Sequence, residues 1–568
     1  MAFVRDAIRY FTLAFISVLL VSCSGGGEDG TAGMPSQEDI AASSGDNEGS
    51  DDVATSSDNE TNKVIISGTI TYDRIPFEDS FYGGLDYPST TQQPARGVVI
   101  KALDGSNSEI ASTVTSATGE YSVTVDRNTD IKIRVVAQMA SSSPTWDITV
   151  RDNTQGGSGY VMDGSLVSSG TGAGQIRNLH AASGWNGSQY TNTRSAGPFA
   201  ILDSIYDSVQ VLVGADANLE LPELTVFWSE DNIAVGGAHS QGFIGSSFYS
   251  TGSGSIYILG KADNDSDEFD RAVIQHEFAH YVEDKLSRSE SIGGSHNLDS
   301  RLDMRVAFGE AWGNAFAGIS SGDPVYRDSF GDEQQFGFSF DVENNVVYSP
   351  GWFSERSLQA IIYDIYDSTS DGDDDISLGF GPIYDALRSS AYLSFSGMTS
   401  IYPFIELIKQ ANPSAEASIN DMLSAQDIYG TGMYGDGETN DAGTPIILPI
   451  YQSISVGEST TVCSGNNFKE YNGVDVNRFV LLSIAQAGRY TMTAQKSSSS
   501  TLVLTNPQLE LYLNGNYVAA SRSSTANVEA LSRNLEVGTY LLQVNESTNS
   551  DNFGTTGGTA CYDVSLNL

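Results

Sequence analysis

From Val64 onward apolar and polar positions alternate in short runs, VIISGTITY, GVVIKAL, GEYSVTVD and IKIRVVAQM, separated by Gly, Asp and Asn. A period of two with turn residues between runs predicts strands of a β-sandwich over residues 63–142. Residues 143–222 are mixed: a Gly/Ser-rich region gives way to PFAILDSIYDSVQVLV, which reads as a helix with Pro198 in its first turn, where a missing N–H costs nothing. LTVFW (Leu224 to Trp228) and SIYILG (Ser255 to Gly260) are continuous apolar runs of buried-strand length. The pattern then changes to two helical stretches, AVIQHEFAHYVEDKL and RVAFGEAWGNAFAGI, within a middle region spanning 223–444. From about Pro445 strands return: RFVLLSI, GRYTMTAQ, LELYLNGNYVAAS and GTYLLQV. The fold class expected is multidomain α+β, a mixed central domain flanked by an N-terminal and a C-terminal β-sandwich.

Length agrees with that division, since 568 residues exceed one core and suggest roughly three to four domains. The net charge of −44 argues against a nucleic-acid partner, which would require clustered Lys and Arg. Residues 1–22 read as an export segment, with Arg5 and Arg9 ahead of the apolar run Phe11 to Val21, too short to span a bilayer. Its end, Leu20-Val21-Ser22-Cys23, resembles the bacterial lipobox, and this resemblance implies a lipid-modified Cys23 and a membrane contact through the lipid anchor. Residues 23–62 contain ten acidic residues and no Lys or Arg, the composition of an extended tether. No later apolar run reaches the roughly 18 residues of a membrane helix. Cys463 and Cys561 are the other two cysteines; an even pair in an exported chain predicts a disulfide, with two buried thiols as the alternative.

The chemistry concentrates in His276-Glu277-Phe278-Ala279-His280. On a helix the two histidines project from one side and can offer neutral nitrogens to Zn²⁺, with Glu277 beside them as general base toward water. Asp267, Glu268 and Asp270 precede the stretch and are expected to favour the helix N-terminus through the dipole. A catalytic zinc needs a third protein ligand. Glu310, in the second helical stretch, is the candidate, with Asp299 and Asp303 as alternatives. A metzincin pattern is excluded because Glu283 and Leu286 stand where Gly and His would be required. His239 and His296 sit in Gly/Ser-rich loops and read as solvated. The run Asp371-Gly372-Asp373-Asp374-Asp375 offers oxygens to Ca²⁺ but lacks EF-hand spacing, so a solvated loop is the default.

His276, Glu277, His280 and the later Gly309-Glu310 together resemble the gluzincin metallopeptidases, the thermolysin- and fungalysin-like group. That resemblance implies a zincin-like domain, Zn²⁺, a polypeptide substrate, Glu277 as catalytic base, and Glu310 as third ligand. Asn314 stands where the family has Asp and implies an uncharged partner for a zinc-bound histidine. No downstream His is evident for oxyanion stabilisation, leaving Tyr363, Tyr366 and Tyr384 open. The strand leading into SIYILG is expected to offer substrate an edge. Gly97 to Val125 is similar to a transthyretin- or regulatory-like sandwich. Residues 445–568 are similar to the pre-peptidase C-terminal domain, which implies surface or carbohydrate contact. The alternative to hydrolysis is a non-catalytic surface adhesin with a structural or decayed metal site.

Overall fold

Each run of period-two alternation is a strand: Lys63–Arg74, Val98–Asp104, Glu120–Asp126 and Asp130–Ser142. In Glu120–Asp126 burial alternates residue by residue, so Tyr121, Val123 and Val125 point inward while their neighbours face solvent. This computed structural model describes residues 62–80, 82–344, 346–368, 375–550 and 558–568. The export segment, Cys23, nearly all of the tether and Asp371 to Asp374 lie outside the described residues.

The chain is α+β, with N-terminal sheets, a helical middle region and a C-terminal sandwich. A five-stranded sheet is built around Lys63–Arg74, whose Ile66 lies opposite Val123. The second sheet has ten strands and runs from Glu109–Val114 to Phe248–Ser250. Thr145–Asp152 pairs antiparallel with Asp130–Ser142 and parallel with Leu224–Trp228, which in turn pairs parallel with Ser255–Ile258. The helix Gly197–Ala215 buries Ile201, Leu202, Ile205, Val209 and Leu212 in the core shared by the N-terminal sheets and the middle helices. No described helix is long and apolar enough to cross a membrane.

Two sheets form the C-terminal sandwich, one of five strands and one of four, around Val480, Leu482, Met492, Leu511, Leu542 and Tyr562. Cys463 and Cys561 are directly opposed on neighbouring antiparallel strands and form a disulfide across a 98-residue separation. Closing a loop of that length stabilises by about 4–5 kcal/mol in the chain-entropy model. Replacing both cysteines by serine is therefore expected to lower stability by up to about that amount, read from the denaturant midpoint of the sandwich. An unchanged midpoint would show that the crosslink contributes nothing.

The sandwich is anchored on the middle region by a buried ion pair. Asp303, the N-cap of the helix Met304–Ser321, accepts from the Arg305 backbone N–H and side chain and from Asn477 Nδ2 at 3.0 Å. Arg305 is 1% exposed, donates to Gln543 Oε1 at 2.9 Å, and lies over the Phe479 ring. Burial alone would raise the Asp303 pKa, but the Arg305 charge and hydrogen bonds outweigh it and hold the carboxyl below its ordinary value.

Candidate metal centre

Two helices place the site. Arg271–Leu286 packs against Met304–Ser321 within one core that includes Phe278, Ala279, Ala311 and Ala315, and Trp312 Nε1 donates to the Ala279 carbonyl at 2.9 Å. Small residues allow the close approach. A Cβ on Gly313 would stand 2.6 Å from the His276 ring, so the second helix can press against that imidazole only because residue 313 has no side chain.

His276, His280 and Glu310 converge, with ligand atoms all within 4.8 Å of one another. His276 Nε2 is 3.0 Å from His280 Nε2 and 3.2 Å from Glu310 Oε2, and His280 Nε2 is 3.6 Å from the same oxygen. Ligands held tetrahedrally at about 2.0–2.1 Å from zinc stand roughly 3.3 Å from each other. The donor set therefore fits: two imidazole nitrogens and a carboxylate oxygen converge at the spacing such an ion requires. His276 Nδ1 faces Asn314 Oδ1 at 2.9 Å, and Asn314 Nδ2 donates to Gln359 Oε1 at 2.9 Å. With that second bond orienting the amide, its oxygen faces the Nδ1 side of the ring, the arrangement that leaves Nε2 free for an ion when Nδ1 carries the proton. Glu283 Oε2 stands 4.0 Å from His280 Nδ1.

Glu277 is 1% exposed and accepts from the Tyr249 N–H at 2.7 Å. Burial raises its pKa, against the opposing pull of His276 and His280. Burial also opposes ionisation of Glu310, but His296 and His280 outweigh it and hold this carboxyl well below the carboxylate range. A cavity of about 560 Å³ opens on His276, Glu277 and Glu310, with Tyr326, Phe338 and Phe340 among its walls.

Several expectations are corrected here. His296 is not solvated: it is buried, lines the cavity, and puts Nε2 3.2 Å from Glu355 Oε2 and 3.6 Å from Glu310 Oε2. Burial would lower its pKa, and the two glutamates reverse that and raise it. His239 is exposed. Asp299 is an exposed residue near Arg356, and Asp303 is committed to Arg305, so neither joins the triad. None of Tyr363, Tyr366 and Tyr384 lines the cavity; Tyr384 donates to Asp216, and Tyr363 and Tyr366 pack on each other. The strand leading into SIYILG is Phe248–Ser250, which lies at the sheet edge as expected, with Ser255–Ile258 inside it. Asp267, Glu268 and Asp270 precede the helix as expected, Asp270 at its N-cap, and their side chains are held elsewhere: Glu268 pairs with Arg194, Asp270 accepts from the Ser329 N–H and hydroxyl, and Asp267 accepts from Ser247. Residues that the sequence did not single out include Gly313, Gln359, Glu355 and Tyr326. The pair Gly293-Gly294 just before His296 was the available signal for a loop folded tightly enough to bury a histidine.

No family model matches this chain, and no curated protein matches it. The C-terminal sandwich resembles the pre-peptidase C-terminal domain of a Bacillus anthracis collagenase, at 17% identity over 20% of this chain and 93% of that one, TM-score 0.15. A family 35 carbohydrate binding module from Clostridium thermocellum is similar at 15% identity over 16% of this chain and 68% of that one, TM-score 0.12. The periplasmic lysozyme inhibitor PliG of Aeromonas hydrophila is similar at 15% identity over 21% of this chain and 96% of that one, TM-score 0.14. These likenesses concern fold and assign no activity.

Proposed function

We propose that this chain is a zinc-dependent peptidase in which His276, His280 and Glu310 hold the ion and Glu277 is the general base. The spacing of the three ligand atoms, 3.0, 3.2 and 3.6 Å, carries this reading. When bound, zinc supplies Lewis-acid polarisation of the scissile carbonyl and lowers the pKa of water toward neutrality. Glu277 takes the proton of the attacking water and returns it to the leaving amine. Burial makes Glu277 a stronger base than an exposed carboxylate, as that task requires. The Tyr249 N–H holds one of its oxygens in place. Asn314 and Gln359 orient His276. The outer strand Phe248–Ser250 follows the cavity-lining Ser246 and Ser247 and is the edge on which an extended peptide would pair.

His296 takes the role left open in the sequence. Beside Glu310 and Glu355 it is disposed to carry a proton and to donate a hydrogen bond to oxygen charge developing in the cavity. Changing His296 to Ala is expected to lower kcat by about 10²-fold with zinc content kept. An unchanged kcat would remove His296 from the mechanism.

The export segment and Cys23 extend the proposal to an exported, lipid-anchored cell-envelope protein, with the sandwich as its surface contact. The deciding measurement is metal content of the purified chain together with casein or gelatin hydrolysis, with and without a chelator. One zinc per chain and chelator-sensitive cleavage are expected. Hydrolysis unaffected by metal removal, or none with zinc bound, would overturn the reading.

A further inference from the structure

Among the residues lining the same cavity, Asp265, Asp267 and Asp328 bring one carboxylate oxygen each within 4.8 Å of the others. Asp265 lies on the short strand Asp265–Ser266, Asp267 follows it, and Asp328 comes from Val325–Phe330, which pairs antiparallel with that strand. Asp267 is 3% exposed. Its Oδ2 accepts from the Ser247 hydroxyl, whereas its Oδ1, like Asp265 Oδ1, is buried with no N–H or hydroxyl donor, the Asp265 and Asp267 carboxyl groups facing each other. An acidic group buried this deeply is costly unless paired. The neighbouring cations are engaged elsewhere: Arg194 with Glu268, Arg271 with Asp207, Lys261 with Asp231.

We propose that Asp265, Asp267 and Asp328 form a calcium site. The donors are all hard oxygens with no imidazole or thiolate among them, the set that selects Ca²⁺ or Mg²⁺ over zinc. Calcium takes oxygens at about 2.3–2.6 Å, so oxygens on opposite sides of one ion stand up to roughly 5 Å apart, and the trio falls inside that span. Mg²⁺ demands closer, near-octahedral ligands and holds its waters more tightly, which a loose trio open to the cavity serves less well. A guanidinium or ammonium from substrate would be met by one or two carboxylates and needs no such convergence on a point. The ion would tie the segment entering the helix of His276 to the strand Val325–Phe330, six residues or so of helix from the zinc ligands. Asp270, bonded to Ser329, already joins the same two segments.

The test is a calcium titration of the full, zinc-loaded chain by calorimetry, beside Asp267→Asn and Asp328→Asn, with zinc content measured in every sample. One Ca²⁺ per chain is expected, with a Kd in the roughly 10⁻⁴–10⁻³ M range of extracellular modules. Both variants should lose the calcium signal and keep one zinc. Hydrogen exchange of the unmodified chain supplies a readout that does not depend on the variants folding. Calcium should slow exchange over residues 260–270 and 325–331. Absence of calcium uptake by the unmodified chain would overturn the proposal, as would absence of that protection. Uptake that persists in both variants would place the ion elsewhere and overturn it equally. A calcium-independent preference for Lys/Arg peptides that vanishes in Asp328→Asn would reassign the trio to substrate side chains. Calcium bound to a chain that hydrolyses nothing would sink the peptidase reading and leave this one standing.

Discussion

Glu277→Gln is expected to bind zinc as the unmodified chain does and to hydrolyse peptides about 10²–10⁴-fold more slowly. The substitution keeps the side chain's size and its acceptor oxygen for the Tyr249 N–H, so the helix and the three ligand atoms should stay in place. What it removes is the carboxylate that, in the proposed mechanism, takes a proton from water and gives it back. Steady-state kinetics on a fluorogenic peptide, paired with metal analysis of the same preparation, separates the two outcomes. Because the base acts in the transition state, the loss should fall on kcat with little change in KM. Full activity in the Glu277→Gln variant would end the mechanism, whatever its metal content.

The second large effect is on the ion itself. Glu310→Gln should weaken zinc binding by more than the roughly 10–100-fold that outer-shell partners contribute, because it removes a charged ligand. Glu310 Oε2 lies within 3.6 Å of three imidazole nitrogens, on His276, His280 and His296. A neutral amide there would leave two converging imidazoles with no anion between them and His296 with Glu355 as its remaining carboxylate partner. Competition with a zinc-selective indicator measures the change. Unaltered affinity would show that Glu310 is no ligand, and neither Asp299 nor Asp303 is placed to replace it.

Local pattern made much of this architecture legible. Alternation along Glu120–Asp126 reports its two faces directly, and the spacing of His276 and His280 needs only a helix to bring them together. The return of Glu310 required just one further inference, that two adjacent helices with small facing residues pack side by side. What local pattern could not disclose was anything decided by distant chain. His296 is buried because its loop is held by the far end of the protein: Asn472 Nδ2 donates to the carbonyls of Gly293 and Ser295. Gly294, at φ +107°, leaves room for the Tyr471 ring, whose hydroxyl would be 2.2 Å from a Cβ there. No window around residue 296 contains those partners. The acidic trio was hidden for the same reason, since Asp328 joins Asp265 only through strand pairing across two helices. Nothing nearby in sequence revealed the side-chain partners of Asp267, Glu268 and Asp270.

The grip of Arg305 on the appended sandwich has an implication for how the protein can be divided. Its guanidinium stems from the opening turn of the helix that carries Glu310, yet it is sealed by Gln543 and Phe479. Severing the last quarter of the polypeptide would uncover a cation and an apolar seam at the very root of the candidate metal centre. The two parts are thus better regarded as keystone and arch than as beads on a string, and shuffling the module between proteins would demand that this joint travel with it.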